Sequence, residues 1–492
     1  MTSQLHPDDP HFSSRRRLLK SALAVVGGGA GLGGCGGSDA AGPAGDGGSG
    51  GGTPPPTTTP PAPAPPGVPT LAPRPAWAGD VPANSWHTLQ NTAFLPWATA
   101  NIPQGAYRGT SALTAIVNAY SDPAHDPTAG AQVFYGGGHG DGTCNAVCSF
   151  SHQTLRWQLI GKPTDPAVYL PDYLRTSEPV YYPSGRYFTG GSTTKGFPLP
   201  GEGGWFLPAA DLPAQVDAPY RAPALARVST HMYAAAAMRG KVVHYFYDTY
   251  AEFDTASGTW SGQGIDLGQQ LLGFRRQYGA PRLQQGTVAI YDEVTDRFFV
   301  TLNPGDNGGS WRSGIIAFDP VSRRIEAVHE TSAATYGQIL NSVNICRVDR
   351  DLYVFTKQGS YAQPQLMNQG FVFNMDTRSF RSFVLTGDTE GSTFPFSSTQ
   401  ETIPSWYDGQ AIRRWNHAAS LRDRISSVAL APLRGSGTPN DPLVLQQTAR
   451  TIAWPKGVDP LFVYKRLVYH AGAGCALLLP QASSNWLALR LS

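Results

Sequence analysis

Histidine, tyrosine and arginine gather at a few points of this chain, and together they can move protons and hold a carboxylate. His139 and Asp141 follow the run Gly136-Gly137-Gly138, whose small residues let a backbone come close to a ligand. Arg227, His231 and Tyr233 form a second group, Arg275, Arg276 and Tyr278 a third, and Arg466 and Tyr469 a fourth. Imidazole and phenol serve as proton acceptors and donors, and guanidinium neutralises an anion. Brought to one polar funnel, such a set suits a sugar or uronate substrate.

His139, Cys144, Cys148 and His152 make the pattern H-x4-C-x3-C-x3-H. All four are zinc ligand types, but in an extended chain at ~3.3 Å per residue Cys144 and Cys148 stand about 13 Å apart. A loop around 143–145 is needed for a structural zinc or a local disulfide; free thiols are the third outcome. No other cofactor is expected. Cys346 and Cys475 sit in strand patterns and read as small buried hydrophobes.

These residues are spread along the chain, so only a fold that gathers distant segments can unite them. Four segments end alike: Phe150 with Trp157, Phe253 with Trp260, Phe318 with Ile325 and Phe373 with Phe380, each pair enclosing a polar turn. Each is a β-hairpin with two anchors on one face. Upstream lies a second hairpin in each case: 115–120 with 132–135, 234–238 with 242–246, 287–291 with 298–302, and 342–348 with 352–355. Two weaker units follow, 425–430 with 443–454, and 466–469 with 475–479 and 486–491. Hairpin pairs recurring in this way predict four-stranded blades and an all-β propeller. The outer strand 85–89 lacks a blade of its own and is expected to complete the last one, protecting its edge. Six blades are counted, and a seventh falls in 180–207 if it exists. No long stretch carries a helical period.

The ends speak of location. Ser14-Arg15-Arg16-Arg17-Leu18-Leu19-Lys20 is a twin-arginine pattern, and the Gly- and Ala-rich run 18–32 is too short and too weakly apolar to span a bilayer about 30 Å thick. Leu32-Gly33-Gly34-Cys35 reads as a lipobox, with Cys35 the acylated residue and 1–34 the signal peptide. Residues 35–76, rich in Gly, Pro and Thr, bury too little to order themselves and form a disordered tether. The body is then 77–492, in a compartment that permits disulfides. The net charge of +2, with 15% charged residues, excludes a nucleic-acid footprint or a basic membrane patch. Membrane contact is expected through the lipid alone, and the body is expected to be a monomer.

The piece Phe134-Tyr135-Gly136-Gly137-Gly138-His139-Gly140-Asp141, with Phe150 to Trp157 after it, resembles the Kelch motif. The ending Tyr464-Lys465-Arg466-Leu467-Val468-Tyr469, with Asn485-Trp486, resembles the closing blade of bacterial Kelch-like and galactose-oxidase-like propellers. The resemblance implies a six- or seven-bladed Kelch-type propeller and leaves function open. Similarity to propeller polysaccharide lyases implies β-elimination, with His139 or His231 as base, Tyr233 as acid, Arg466 or Arg227 on the uronate carboxylate, and Asp141, Tyr278 and Tyr469 as binding groups. The alternative is a non-catalytic scaffold that docks a protein. Tyr469-His470 is similar to the copper-ligand pair of galactose oxidase, although no Cys stands in a context matching that family; the plainer reading makes it the end of a strand facing solvent.

Overall fold

The computed structural model describes residues 70–492 except 104–108, 119–122, 136–145, 164–178, 182–186, 190–205, 208–223, 226–233, 241, 247–248, 261–264, 268–269, 272–287, 303–311, 333–343, 359–364, 395–402, 417, 419, 461–462 and 464. Among the described residues the strands form six four-stranded blades. Blade 1 holds Ala124–Asp126, Ala131–Tyr135, Val147–Ser151 and Arg156–Gly161. Blade 2 holds Ala234–Met238, Val242–Phe246, Thr249–Asp254 and Thr259–Trp260, and blade 3 Ala289–Asp292, Arg297–Leu302, Arg312–Asp319 and Arg324–Ser332. Blade 4 is Asn344–Val348, Asp351–Gln358, Gln365–Asn374 and Phe380–Gly387, and blade 5 Ser405–Tyr407, Ile412–Trp415, Arg424–Val428 and Leu443–Thr451. Blade 6 is Leu467–His470, Cys475–Leu478 and Trp486–Leu489, and its fourth strand is Trp86–Leu89 from the other end of the body, antiparallel to Trp486–Leu489.

The expected hairpins owe their shape to one local device. Phe150 pairs across its hairpin with Trp157, Phe253 with Trp260, Phe318 with Ile325, and Phe373 with Phe380. The residue after each Phe turns the chain with its side chain. Asp254 Oδ1 accepts the N–H groups of Ala256 and Ser257, Asp319 Oδ1 that of Val321, Asn374 Oδ1 those of Asp376 and Thr377, and Ser151 Oγ that of Thr154. Such side-chain turns are what Asp, Asn and Ser supply. Each turn then closes on a left-handed residue: Leu155, Gly258, Arg323 or Arg378. Gly258 is required twice over, because a Cβ there would also stand 2.3 Å from Ile160 O of the neighbouring blade.

The ring is traced by its apolar seams. Trp157 and Phe150 of blade 1 pack with Trp486 and Leu477 of blade 6. Phe253 and Trp260 of blade 2 pack on Val133 and Tyr135 of blade 1, and Phe318 and Ile325 of blade 3 on Phe246 and Tyr250 of blade 2. Phe373 and Phe380 of blade 4 pack on Phe299 and Ile315 of blade 3. Each anchor therefore faces the preceding blade from an equivalent place. Blades 4 and 5 share a core around Phe383, Ile412 and Leu445, and blades 5 and 6 one around Trp415, Leu478 and Trp86. Six seams join six blades in a circle.

Blades 1 and 2 touch directly, so the stretch between them is an insertion in the ring and not a seventh blade. The strands it contains, Pro179–Tyr181 with Tyr187–Thr189 and Phe206–Leu207 with Ala224–Leu225, form separate two-stranded sheets.

One expectation needs correction, and three features were not foreseen. Residues 115–118, expected in a strand, belong to the helix Gly109–Asn118, and the first strand of blade 1 is Ala124–Asp126. The helix buries Leu113, Ile116 and Val117 at helical spacing; the β-branched pair and the Tyr after it imitate a strand. A second helix, Phe94–Asn101, packs beside Trp157, with the ring centroids of Phe94 and Trp157 4.8 Å apart. Blade 5 also has an inner hairpin, Ser405–Tyr407 with Ile412–Trp415, that the pattern hid. Moreover, the fourth strands of blades 4 and 5 pair in parallel, Phe383 opposite Leu443 through Gly387 opposite Gln447. Two outer edges that would be open are thereby closed by each other.

Candidate functional site

Antiparallel order gives the ring two unlike faces. The connections from first to second and from third to fourth strand lie on one face and are mostly the tight side-chain turns above. The connections from second to third strand, and from blade to blade, lie on the other and are mostly longer: 136–146, 162–233, 267–288, 303–311 and 333–343 among them. His139 and Asp141 belong to the first of these, Arg227, His231 and Tyr233 to the second, and Arg275, Arg276 and Tyr278 to the third; all eight lie outside the described residues.

Arg466 and Tyr469 are described, and they do not converge. Arg466 is fully buried at the loop-face end of the first strand of blade 6. Its Nη1 points at Asn118 Oδ1, 3.4 Å away, and that oxygen also accepts the N–H of Ala482 at 2.7 Å. The end of the helix Gly109–Asn118 thus covers the guanidinium. Tyr469 stands three residues on, near the turn-face end, half-buried, its hydroxyl donating to Asp408 O at 3.4 Å. Burial first, then the Asp408 carboxylate, push its phenol above the usual range.

His470 does not face solvent. It is 3% exposed, and its Nδ1 accepts the Ala473 N–H at 3.1 Å, capping the turn after its strand. Cys148, Cys346 and Cys475 are buried and are not in disulfides. His139 and Cys144 lie outside the described residues, and among the described residues no group of three His, Cys, Asp or Glu side chains is arranged to hold a metal.

Two buried polar constellations were not read from the sequence, although His152 and His470 each fall in a metal-ligand pattern there. At the seam of blades 6 and 1, the ring of His152 stands 5.7 Å from that of His125 and 5.7 Å from that of His470. His152 has no exposure and no partner at either ring nitrogen. Burial, then the charges of His125 and His470, hold it well below the usual imidazole range. Burial, followed by His470 and against the pull of Asp126, lowers His125 to about 4.

At the seam of blades 2 and 3, His244 Nδ1 meets Tyr250 OH at 2.5 Å, Tyr250 donates to Glu252, and Arg323 of blade 3 donates to Glu252 Oε2 at 2.8 Å. Burial lowers His244 to about 4 and raises Tyr250 far above its ordinary value. Phe298 lies 4.4 Å from the imidazole, so the chain of groups ends in the core and acts as a clasp between blades. A sequence signal existed for both: His125 directly precedes a turn-forming Asp126, and His244 stands opposite Glu252 in the hairpin register.

The architecture defines the class: a closed six-bladed β-propeller, with one face of tight turns and one of long connections. No family model matches the sequence, and no curated protein matches it. Among solved structures, similar chains are hydrazine synthase of Kuenenia stuttgartiensis (9% identity, 75% of this chain and 95% of that one, TM-score 0.38) and the WD40 domain of Neurospora crassa Pan2 (10% identity, 75% and 89%, TM-score 0.33). A third is a chain of the mitotic checkpoint complex (8% identity, 89% and 98%, TM-score 0.36). At these scores the likeness carries no functional argument, and the fold rests on the strand pairing and seams described above.

Proposed function

We propose that this protein is an exported, lipid-anchored propeller of Kelch type that binds or processes carbohydrate on its loop face. The asymmetry of the faces carries the reading. The candidate residues His139, Asp141, Arg227, His231, Tyr233 and Tyr278 all fall in connections that join strand ends on one side of the ring, so a single mouth can gather them. The burial of Arg466 against Asn118 favours Arg227 as the group facing a uronate carboxylate, with His139 or His231 as base and Tyr233 as acid. Among the described residues no helix is long and apolar enough to cross a membrane, and attachment is proposed through Cys35.

The test is absorbance near 235 nm during incubation with a panel of uronate polysaccharides, where β-elimination creates an unsaturated product. A rise that disappears in His231→Ala or His139→Ala, and in Tyr233→Phe, supports the lyase. Flat traces with every substrate, together with unaltered retention of the protein on polysaccharide gels, leave a binding module. Flat traces without retention turn the reading to a protein-docking scaffold. Anchoring is tested separately: Cys35→Ala should abolish labelled-palmitate incorporation and move the protein to the soluble fraction.

A further inference from the structure

Three turns and one further segment, ending in the 3-10 turn Ala76–Gly79, meet over the histidines at the seam of blades 6 and 1. Residues 71–79 run across the turn face there. Ala72 N–H donates to Pro127 O at 3.0 Å, Gln153 Nε2 to Pro73 O at 2.8 Å, and Trp77 Nε1 to His152 O at 2.6 Å. Arg490 and Arg74 both reach Ala78 O. The fit is close: a Cβ on Gly130, in left-handed backbone, would meet Ala72 Cβ at 2.9 Å, Gln153 Nε2 at 3.0 Å and His470 Nε2 at 3.2 Å. Because this segment leads into the outer strand Trp86–Leu89, it belongs to the closure of the ring.

The hydrogen bonding beneath it requires a neutral His470. His470 Nδ1 accepts from Ala473 N–H, so its proton sits on Nε2, 3.3 Å from Gln153 Nε2, which is itself a donor occupied by Pro73 O. A second proton on His470 would place one N–H against another at Ala473 and open that turn. His152 offers two unpartnered nitrogens inside a cage of Phe150 and Trp486, with ring centroids 5.7 and 5.4 Å away.

The charged groups facing the cluster are few. Asp126, beside His125, spends its Oδ1 on Thr128 and Ala129 of its own turn. Arg74 comes from the overlying segment and Arg490 from the end of blade 6, both cationic. Cys475 is a buried thiol whose Sγ is 3.4 Å from Ala473 O, and burial raises it. Tyr469 turns away to Asp408. Among the described residues no carboxylate lies within ion-pair distance of the three rings, and the nearest, Asp126, offsets the burial of His125 only in part. A buried charge without a partner is strongly unfavourable.

We propose that His125, His152 and His470 form an acid-sensitive latch, whose protonation releases residues 71–79 from the turn face and loosens the closing seam while the rest of the ring stays folded. The depressed imidazole values set the direction. With the segment released the three rings take up protons near the ordinary histidine value, and with it docked only below that, so docking weakens as the pH falls from about 6.5 towards 4.

Amide hydrogen exchange of the full chain, corrected for intrinsic rates, tests this at pH 7.5 and pH 4.5. At the lower pH the amides of Ala72, Ala473 and Gly474 should exchange at least tenfold faster, while Phe371–Phe373 in blade 4 keep their protection. His470→Asn keeps an acceptor for Ala473 without titrating, and His152→Phe suits its aromatic cage; each should carry the opening to lower pH. Equal protection at the two pH values overturns the latch. So does simultaneous loss at blade 4, which would mean global unfolding, and so does opening of both variants at the wild-type pH. If neither variant folds, the wild-type comparison alone decides.

Discussion

Two seams of the same ring are built on opposite principles. Blades 6 and 1 meet through a stack of aromatic rings, Phe150 on Trp486 at 4.7 Å and 12°, with three neutral histidines at the turn face. Blades 3 and 4 also share an apolar core, but their turn face is clamped by charge. Asp292, its side chain wholly buried, receives both terminal nitrogens of Arg350 and Nη2 of Arg347 at 3.3 Å; Arg347 also holds Glu293 at 2.6 Å, and Arg350 holds Asp376 at 2.7 Å. Burial alone would raise the Asp292 carboxyl, but the bonds from Arg350 and Thr295 and the two guanidinium charges outweigh it and bring it to about 2. One seam thus depends on its groups staying uncharged, the other on their staying charged. The closing seam unites the two ends of the body, where a reversible joint costs the remaining blades least.

The largest break in this comparison comes from the aromatic stack. Trp486 is wholly buried and touches Phe150, His152 and Trp157. Trp486→Ala should cost ~3–5 kcal/mol by the general penalty for emptying a large core site, read as a lower urea midpoint, with lost exchange protection beginning in blades 6 and 1. Loss beginning in blades 3 and 4 would show that ring closure is not the local weak point.

Next is the ionic seam. Asp292→Ala leaves two partly buried guanidiniums facing each other and removes the acceptor that shapes the turn through Thr295. The expected loss is about 3 kcal/mol, measured by urea denaturation at pH 7. Asp292→Asn keeps the shape and should lose less.

Acid separates the two seams without mutation. The His125 imidazole titrates at about 4 when folded and near its ordinary value when unfolded, so stability from the closing seam is complete above about 6.5 and falls as pH drops towards 4. The amount lost by pH 4 is about 3 kcal/mol. Asp292, with its depressed carboxyl, contributes its share above about 4 and loses it only on approach to 2. A urea midpoint that declines between pH 7 and 4 in the wild type, and declines less in His152→Phe, is the expected result; a flat profile would place these histidines nearer to solvent than their burial implies.

What the sequence made legible follows from the same physics. Blades 2, 3 and 4 could be read because their hairpins carry the Phe anchor, the turn-forming Asp or Asn, and the left-handed residue at fixed spacing, all local signals. The closing strand Trp86–Leu89 could be read as an unpaired outer strand. The first half of blade 5 could not: Ile412-Arg413-Arg414-Trp415 looks polar, yet all four are buried. Arg413 is held by Asp408, while Arg414 donates to Met367 O at 3.0 Å and lies 4.1 Å from the ring centre of Phe355. The partner of Arg413 sits in its own turn, but these two of Arg414 come from blade 4 and leave no trace in the local pattern. Arg466 was legible as an arginine at a strand end but not as buried, since the helix end that covers it lies hundreds of residues away in sequence. The pairing of blades 4 and 5 through their outer strands likewise depends on tertiary approach alone.

The smallest effect sharpens the comparison at the level of backbone. At the closing seam two left-handed turn positions, Gly130 and Gly474, are glycines and a third is Leu155, whereas at the ionic seam Asp349 occupies one with φ of 49°. Its side chain is exposed, and its carbonyl accepts Arg347 Nε at 3.1 Å, a bond that survives substitution. Asp349→Gly removes the steric cost of a Cβ in that conformation but makes the unfolded chain more flexible, so the two terms partly cancel. A net gain of about 0.5 kcal/mol is expected, visible as a small rise in urea midpoint at pH 7 and unchanged down to pH 5. A loss instead would mean that the Asp349 carboxylate adds to the field holding Arg347 and Arg350, and that the ionic seam extends beyond the groups in direct contact.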